Sequence, residues 1–309
     1  MANGGTDVMG RERLQGAWLA TRPQFVLASV VPALIGQGTA VYDGASYDPV
    51  AGTLTIIGVM AIHAGANAFN DCHDLGSDSI NRDHISPFSG GSRVLQRGLL
   101  SLPQQRVLAL VLLALGALCG LWLLRAAGAG LLWLGAGGMF LAWAYSAPPL
   151  RLSARGLGEL TVGAAFGILV PLGSYMVMTG EAAWTAVAAG LPYALLISAV
   201  LIAAQFPDRL ADERSGKRNW IVRLGPEKGR VLYLAVVVLA WTSLMAMVGL
   251  SAMPALVLIA LPAGVFSLLA LRSLWAGHDS AQLKAAVQNT IAAALAGGLA
   301  ISLGLIIAA

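Results

Sequence analysis

The chain has 309 residues, of which 57% are hydrophobic and only 11% charged, and its mean hydropathy is +0.75. A soluble domain carries about 25% charged residues, so this chain cannot clothe a water-facing surface and reads as an all-α integral membrane protein. The net charge is +4, but the basic residues sit in short segments between apolar stretches, which excludes a nucleic-acid partner. Cys72 and Cys119 are too few for a disulfide framework.

Residues 1–20 begin polar, carry Arg11, Glu12 and Arg13, and lack a small-residue cleavage site after a short apolar core. They are expected to form a cytoplasmic N-terminal segment rather than a removable signal. A crossing helix needs about 20 mainly apolar residues. In chain order, the apolar stretches predict nine spans, at 23–42, 51–72, 106–124, 131–147, 156–179, 183–206, 231–250, 253–275 and 285–308. The join near Met253 is so tight that the spans on either side of it form a helical hairpin.

With the N-terminus in the cytoplasm, every lysine and arginine except Arg125 falls on the cytoplasmic side. The positive-inside rule therefore supports both the count and the orientation. Two long charged cytoplasmic loops, 73–105 and 207–230, follow spans 2 and 6. Each opens with spaced aspartates. A four-helix unit used twice, with a ninth helix appended, explains this recurrence. The whole chain, 1–309, reads as a single transmembrane domain.

The first aspartate segment runs Asn70-Asp71-Cys72-His73-Asp74-Leu75-Gly76-Ser77-Asp78, and the second runs Pro207-Asp208-Arg209-Leu210-Ala211-Asp212. Residues four apart share a helix face, so Asn70, Asp74 and Asp78 form one row and Asp208 and Asp212 another. Carboxylates at a membrane helix end repel one another and lose hydration, at about 2.5–3.5 kcal/mol for one Asp at the helix centre. A divalent ion removes both problems. Oxygen donors without His or Cys at metal spacing select a hard cation, Mg²⁺ or Ca²⁺. Two facing rows suit a diphosphate bridged by Mg²⁺, which would neutralise it as a leaving group. Arg82 and Arg93 follow the first row, and Lys217 and Arg218 the second. They either hold phosphate oxygens or simply obey the positive-inside rule.

At these residues the chain resembles the UbiA superfamily of membrane prenyltransferases, whose two motifs are similar to Asn70-x3-Asp74-x3-Asp78 and Asp208-x3-Asp212. The likeness covers nearly the whole chain. It includes Thr21-Arg22-Pro23, Ser86-Pro87-Phe88-Ser89-Gly90-Gly91-Ser92-Arg93, Tyr145-Ser146-Ala147-Pro148-Pro149, Gly156-Leu157-Gly158-Glu159-Leu160 and Gly216-Lys217-Arg218. These runs most resemble the MenA branch, which prenylates 1,4-dihydroxy-2-naphthoate for menaquinone. The resemblance implies nine helices around a central cavity with the aspartates at its cytoplasmic mouth. It implies that Asn70, Asp74, Asp78, Asp208 and Asp212 bind Mg²⁺ and diphosphate. It implies a polyprenyl diphosphate donor whose tail leaves sideways between helices, and an aromatic acceptor. Two departures bear on the acceptor. Ala204 and Gln205 stand where an asparagine often precedes the second motif, and Arg151 and Arg155 stand where many members have a lysine.

On this reading Arg22, Arg82, Arg93, Arg151, Lys217 and Arg218 are candidate diphosphate contacts, with Arg22 alternatively a membrane-interface anchor. Asp71 is either a base beside the metal row or a helix-end polar residue. Tyr145, and after it Phe69 and Tyr175, are candidate faces for an allylic cation or interface aromatics. His63 either lines the cavity or packs between helices. The expected reaction is transfer of a polyprenyl group to an aromatic acceptor in a bacterial-type cytoplasmic membrane. Other acceptors, or terpene cyclisation, are the alternatives within the family. A secondary transporter is the rival class, but it places acids near the bilayer midplane, and these aspartates gather at one face. The sequence assigns no oligomeric state.

Overall fold

The computed structural model describes residues 4–81, 85, 87–277 and 279–309, with side chains from Arg11 onward. Among these residues every element is helical. The chain opens with α1 (Gly4–Ala20), α2 (Pro23–Val26) and α3 (Val30–Tyr42), and a 3₁₀ turn at Leu27–Ser29 links the last two. Next come α4 (Pro49–Ile80), α5 (Leu102–Ala127) and α6 (Gly130–Ser146). The fifth span is composite: α7 (Gly158–Ala164), a π segment (Ala165–Leu169) and α8 (Val170–Thr179). Then follow α9 (Trp184–Arg214), α10 (Trp220–Gly249), a 3₁₀ stretch (Ala255–Ala263), α11 (Gly264–Ala276) and α12 (Ser280–Ile307). Eight segments are long and apolar enough to cross a membrane. With 17 residues, α6 is the shorter ninth, and at 1.5 Å per residue it spans about 25 Å. The protein is a multi-pass integral membrane protein.

Helix starts follow local chemistry. Asp48 caps α4 by accepting from the Val50 and Ala51 amides at 2.9 and 3.1 Å, ahead of Pro49. Ser101 and Gln104 form a capping box on α5. Asn219 and Asp279 cap α10 and α12.

The fifth span shows why a simple periodic reading fails. Pro171 has no N–H to give the carbonyl of Gly167, and its ring crowds that carbonyl. The backbone widens into the π segment, a common response to such a clash. The displaced Gly167 carbonyl then lies against α9, where a Cβ on Gly190 would sit 2.0 Å from it. Glycine lets the two backbones touch, as small residues do in lipid.

The packed core lies on the side of α3, α9, α10, α11 and α12. Ile35, Tyr193, Leu244, Val257 and Ile301 are buried there, and the Tyr193 hydroxyl donates to the Ala28 carbonyl at 2.6 Å. Helix α12 is no loose appendage: it packs against α3, α9 and α11. On the other side, α5 and α6 turn Leu110, Leu118, Trp133 and Phe140 outward, as a lipid-facing wall does.

Two helices overrun the boundaries expected from apolarity. The sequence ends span 2 at residue 72, yet α4 runs to Ile80. It ends span 6 at 206, yet α9 passes through Pro207 to Arg214. The aspartates therefore stand on rigid helix rather than in loops. Their charges are compensated by neighbours that an apolarity scan cannot see. As expected, α10 and the segment after Met253 form a hairpin, but its second arm begins as a 3₁₀ stretch containing Pro262.

Gly190→Ala is expected to lower stability by about 1–3 kcal/mol, because its new methyl meets a backbone oxygen that cannot yield. Gly249→Ala, whose Cβ would meet nothing within 4 Å, should leave stability unchanged. Thermal melting in detergent compares the two.

Candidate functional site

Helices α4 and α9 bring their polar ends to one mouth of a cavity of about 610 Å³. Asn70, Asp74 and Asp78 from α4 and Asp208 and Asp212 from α9 all line it, with Arg22, Lys217 and Asn219. Deeper in, the lining becomes apolar. Along α4 it passes Ala66, His63, Ile62, Val59 and Gly58 to Thr55. From Asp78 to Thr55 that is about 35 Å of helix at 1.5 Å per residue. The facing wall comes from α5, α6, the π segment and α8.

One cation joins the two rows. Lys217 Nζ lies 2.9 Å from Asp74 Oδ2 and 3.3 Å from Asp212 Oδ1. Burial alone would lower the Lys217 pKa, but Asp74 and Asp212 outweigh it and hold the ammonium above the ordinary lysine value. The turn after α9 fixes this lysine, because its amide donates to the Asp212 carbonyl at 2.9 Å. Asn219 has two roles. It caps α10, and its Nδ2 donates to Asp212 Oδ2 at 2.7 Å.

Around the first row, Asn70 is a hub. Its Nδ2 donates to Asp74 at 3.0 Å and to Ser146 Oγ at 2.9 Å, and its Oδ1 accepts from Arg22 at 2.9 Å. Around the second, Asp208 accepts from Asn81 Nδ2 at 2.6 Å and from the Gly90 amide at 3.2 Å. The segment 87–93 thus folds over the mouth and touches both rows. At Gly91 φ is +74°, and a Cβ there would fall 2.2 Å from Asp78 Oδ2. Only glycine fits on both counts.

Several expectations are corrected by position. Asp71 does not line the cavity. Its carboxylate is occupied by Arg22, by the Ser92 amide and hydroxyl, and by Gln105 Nε2 at 3.3 Å. It holds Arg22 and the covering segment in place and is no free base. Arg93 donates to the Asp78 carbonyl at the end of α4 and does not reach the cavity, where it complements the negative end of the helix dipole. Arg151 and Arg218 are exposed and also lie outside the lining. The Arg218 amide donates to Ala154 at 2.7 Å, tying the turn after α9 to the loop after α6. Arg82 lies outside the described residues.

Tyr145 lines the cavity, whereas Phe69 lies in tilted contact with His73 and Tyr175 donates to Asp43 at 2.9 Å, far along α8 from the aspartates. His63 does line the cavity, with its ring 4.8 Å from that of Phe166. The aromatic faces missed from the sequence are Phe25, Phe88 and Phe166. Nothing in an apolar span marks such a residue as cavity-facing. Asn81 and Asn219 were also missed. Each follows an aspartate row closely, which is the one signal that would have found them.

Comparison with known proteins shows the family and the fold. The model of the UbiA prenyltransferase family matches residues 29–292. The chain is 25% identical over 222 residues to the 1,4-dihydroxy-2-naphthoate octaprenyltransferase of Bacillus subtilis (strain 168), covering 71% of this chain and 68% of that one. It is 29% identical over 226 residues to the protein of that name from Mycobacterium tuberculosis, covering 72% and 75%. Among solved structures it is similar to a UbiA homolog from Aeropyrum pernix K1, with a TM-score of 0.72 and 20% identity over 92% of this chain and 97% of that one. It is also similar to a UbiA homolog from Archaeoglobus fulgidus bound to GPP and Mg²⁺, with a TM-score of 0.66 and 18% identity over 93% and 99%.

Removing the Lys217 charge leaves Asp74 and Asp212 facing each other without it. Lys217→Met should therefore cost about 3 kcal/mol of stability. Adding Asp212→Asn should restore part of the loss, a coupling that a double-mutant cycle of thermal melts measures.

Proposed function

This chain belongs to the UbiA prenyltransferase family and is a prenyltransferase, and on that premise we propose that it transfers a polyprenyl group from polyprenyl diphosphate to 1,4-dihydroxy-2-naphthoate, with loss of carbon dioxide, in menaquinone assembly. One observation carries the reading: Lys217 joins carboxylates of two helices at the mouth of a long apolar cavity. An anion-holding mouth opening on a greasy tunnel is what a lipid diphosphate requires. The naphthoate-prenylating relatives favour that acceptor.

The donor set suits Mg²⁺. Asn70, Asp74, Asp78, Asp208 and Asp212 offer only amide and carboxylate groups to the cavity, and the Lys217 ammonium already sits between two of them. Among the described residues no three His, Cys, Asp or Glu side chains form a ready metal cage. Mg²⁺ takes one or two protein carboxylates and completes its shell from substrate phosphates. When bound, Mg²⁺ would neutralise the departing diphosphate.

The rest falls to the chain's own residues. Arg22 and Lys217 line the mouth as cations and grip phosphate oxygens. The donor's C–O bond breaks, and its electron pair leaves with the diphosphate. Apolar walls keep water from the allylic cation. The faces of Tyr145, Phe25, Phe88 and Phe166 are positioned along the cavity to stabilise it. The ring carbon that bears the acceptor's carboxylate forms the new C–C bond, and the bond to that carboxylate breaks, its electron pair restoring the aromatic ring as carbon dioxide leaves. Charge placement in the sequence supports a cytoplasmic mouth in a bacterial-type cytoplasmic membrane. Residues 1–309 act as one catalytic unit.

Asp74→Asn and Asp208→Asn should each lower prenyl transfer by about 100-fold. The assay follows radiolabelled polyprenyl diphosphate and 1,4-dihydroxy-2-naphthoate in detergent. Chelation should abolish activity and added Mg²⁺ restore it. Full activity in either variant would reject the site. Mass spectrometry showing a 4-hydroxybenzoate product instead would replace the acceptor.

A further inference from the structure

Beside the aspartate rows lies a polar pair that the mechanism above does not use. Gln205 sits on α9 three residues before Asp208, about 4.5 Å along the helix at 1.5 Å per residue. It lines the cavity just inside the mouth, with Tyr145, Ser153 and Asn219. Glu159, in the first turn of α7, accepts from Gln205 Nε2 at 2.6 Å. Both residues are more than nine-tenths buried, at 7% and 6% exposure. Gln205 Oε1 and Glu159 Oε2 have no hydrogen-bond partner among the described residues.

A carboxylate only accepts, so the Gln205 amide must turn its nitrogen to Glu159 and present its oxygen elsewhere. A buried acceptor left unpaired is costly. What it lacks is a donor. Diphosphate oxygens bring none, and neither does the acceptor's carboxylate, which the neighbouring Glu159 also repels. An aromatic hydroxyl does. The reacting ring must approach the carbon next to the diphosphate, and that is the depth at which Gln205 stands. Of the other buried orphans on the lining, Arg22 Nε is a donor and not an acceptor, and His63 Nδ1 and Ser174 Oγ do not share this position. His63 is about 10 Å of helix beyond Asn70, and Ser174 lies on α8.

We propose that Gln205, oriented by Glu159, accepts the hydroxyl hydrogen of the aromatic acceptor and so sets which edge of the ring meets the allylic carbon. This rests on the reading of the chain as an aromatic prenyltransferase. Gln205 is the contact and Glu159 a positioning residue.

The test measures steady-state kinetics with geranylgeranyl diphosphate and either 1,4-dihydroxy-2-naphthoate or its two mono-O-methyl ethers. Wild type should use one ether about tenfold less well than the parent. Gln205→Met should raise the KM for the naphthoate about tenfold, leave the KM for the donor unchanged, and lose discrimination against that ether. Glu159→Leu should reproduce this pattern. Glu159→Gln, which can still offer an oxygen to Gln205 Nε2 but no longer compels that orientation, should raise the acceptor KM less than Glu159→Leu does. An unchanged acceptor KM in a folded Gln205→Met overturns the proposal, as does wild-type indifference to both ethers, which needs no variant to fold. Wild type that transfers nothing to the naphthoate overturns the acceptor reading itself.

Discussion

Everything at the mouth depends on keeping like charges close together inside a membrane protein. Asp74 and Asp212 come from different halves of the chain, and both touch one ammonium. Without it, two poorly hydrated carboxylates would face each other across the gap between α4 and α9. The fold therefore builds a cation into the site before any ligand arrives. It then fixes that cation through the Asp212 carbonyl and the turn after α9. Two other carboxylates are met differently. Asp208 takes neutral donors, Asn81 and Gly90, while Asp71 takes Arg22. A cation held in place before substrate arrives is the condition for a preorganised anion site.

The same constraint explains which parts of the molecule were legible in the sequence. The four-residue spacing of Asn70, Asp74 and Asp78, and of Asp208 and Asp212, is a local property of a helix face, and it survives into the structure. Apolar length revealed the spans for the same reason. The helix ends were misread because apolarity stops at Cys72 and Phe206, whereas the helices run on to Ile80 and Arg214, past carboxylates that find partners there. Those partners are distant in sequence: Lys217 for Asp74, Asn81 for Asp208, and Gly90 from the segment over the mouth. Arg93, Arg151 and Arg218 misled because a basic residue near an aspartate row in sequence can still point its side chain elsewhere. Asp71 misled in the other direction. One residue from Asn70, it is rotated about 100° around the helix, onto the face that meets Arg22 and Gln105.

Rigidity and vacancy are kept on opposite sides of the bundle. The core of Tyr193, Leu244, Val257 and Ile301 unites α9, α10, the 3₁₀ stretch and α12 with α3. Close contacts at Gly298 against Val31 and Gly304 against Val257 leave no room for a Cβ. Across the cavity, Gly120, Gly135 and Gly138 line open space, and a Cβ there would meet nothing within 4 Å. Small residues thus serve two purposes in one chain. In the core they let backbones touch. On α5 and α6 they leave volume along a wall that turns its larger side chains outward. A tail that is long, apolar and variable in shape is better accommodated by such a wall than by a tightly complementary one.

Within the cavity the polar groups are sorted by what they lack. The mouth carries cations and carboxylates arranged to hold an anion, and Arg22 and Lys217 supply donors in excess of any the apolar walls could give. One turn deeper on α9 the balance reverses. Gln205 and Glu159 leave bare acceptor oxygens. A diphosphate, which brings only acceptors, gains nothing from that pair, whereas a phenolic hydroxyl brings the donor it lacks. Two substrates of opposite polarity can therefore enter one continuous space and still be separated by about one helical turn. The prolines and glycines of the fifth and sixth spans make that separation possible. The π segment forced by Pro171 lets α7 and α8 pack closely on α9 at Gly190, and α7 in turn carries Glu159 to Gln205. A regular helix in its place would turn Glu159 to a different azimuth relative to the Gly167–Gly190 contact, so the pairing that directs the Gln205 amide is set by a backbone defect two turns away.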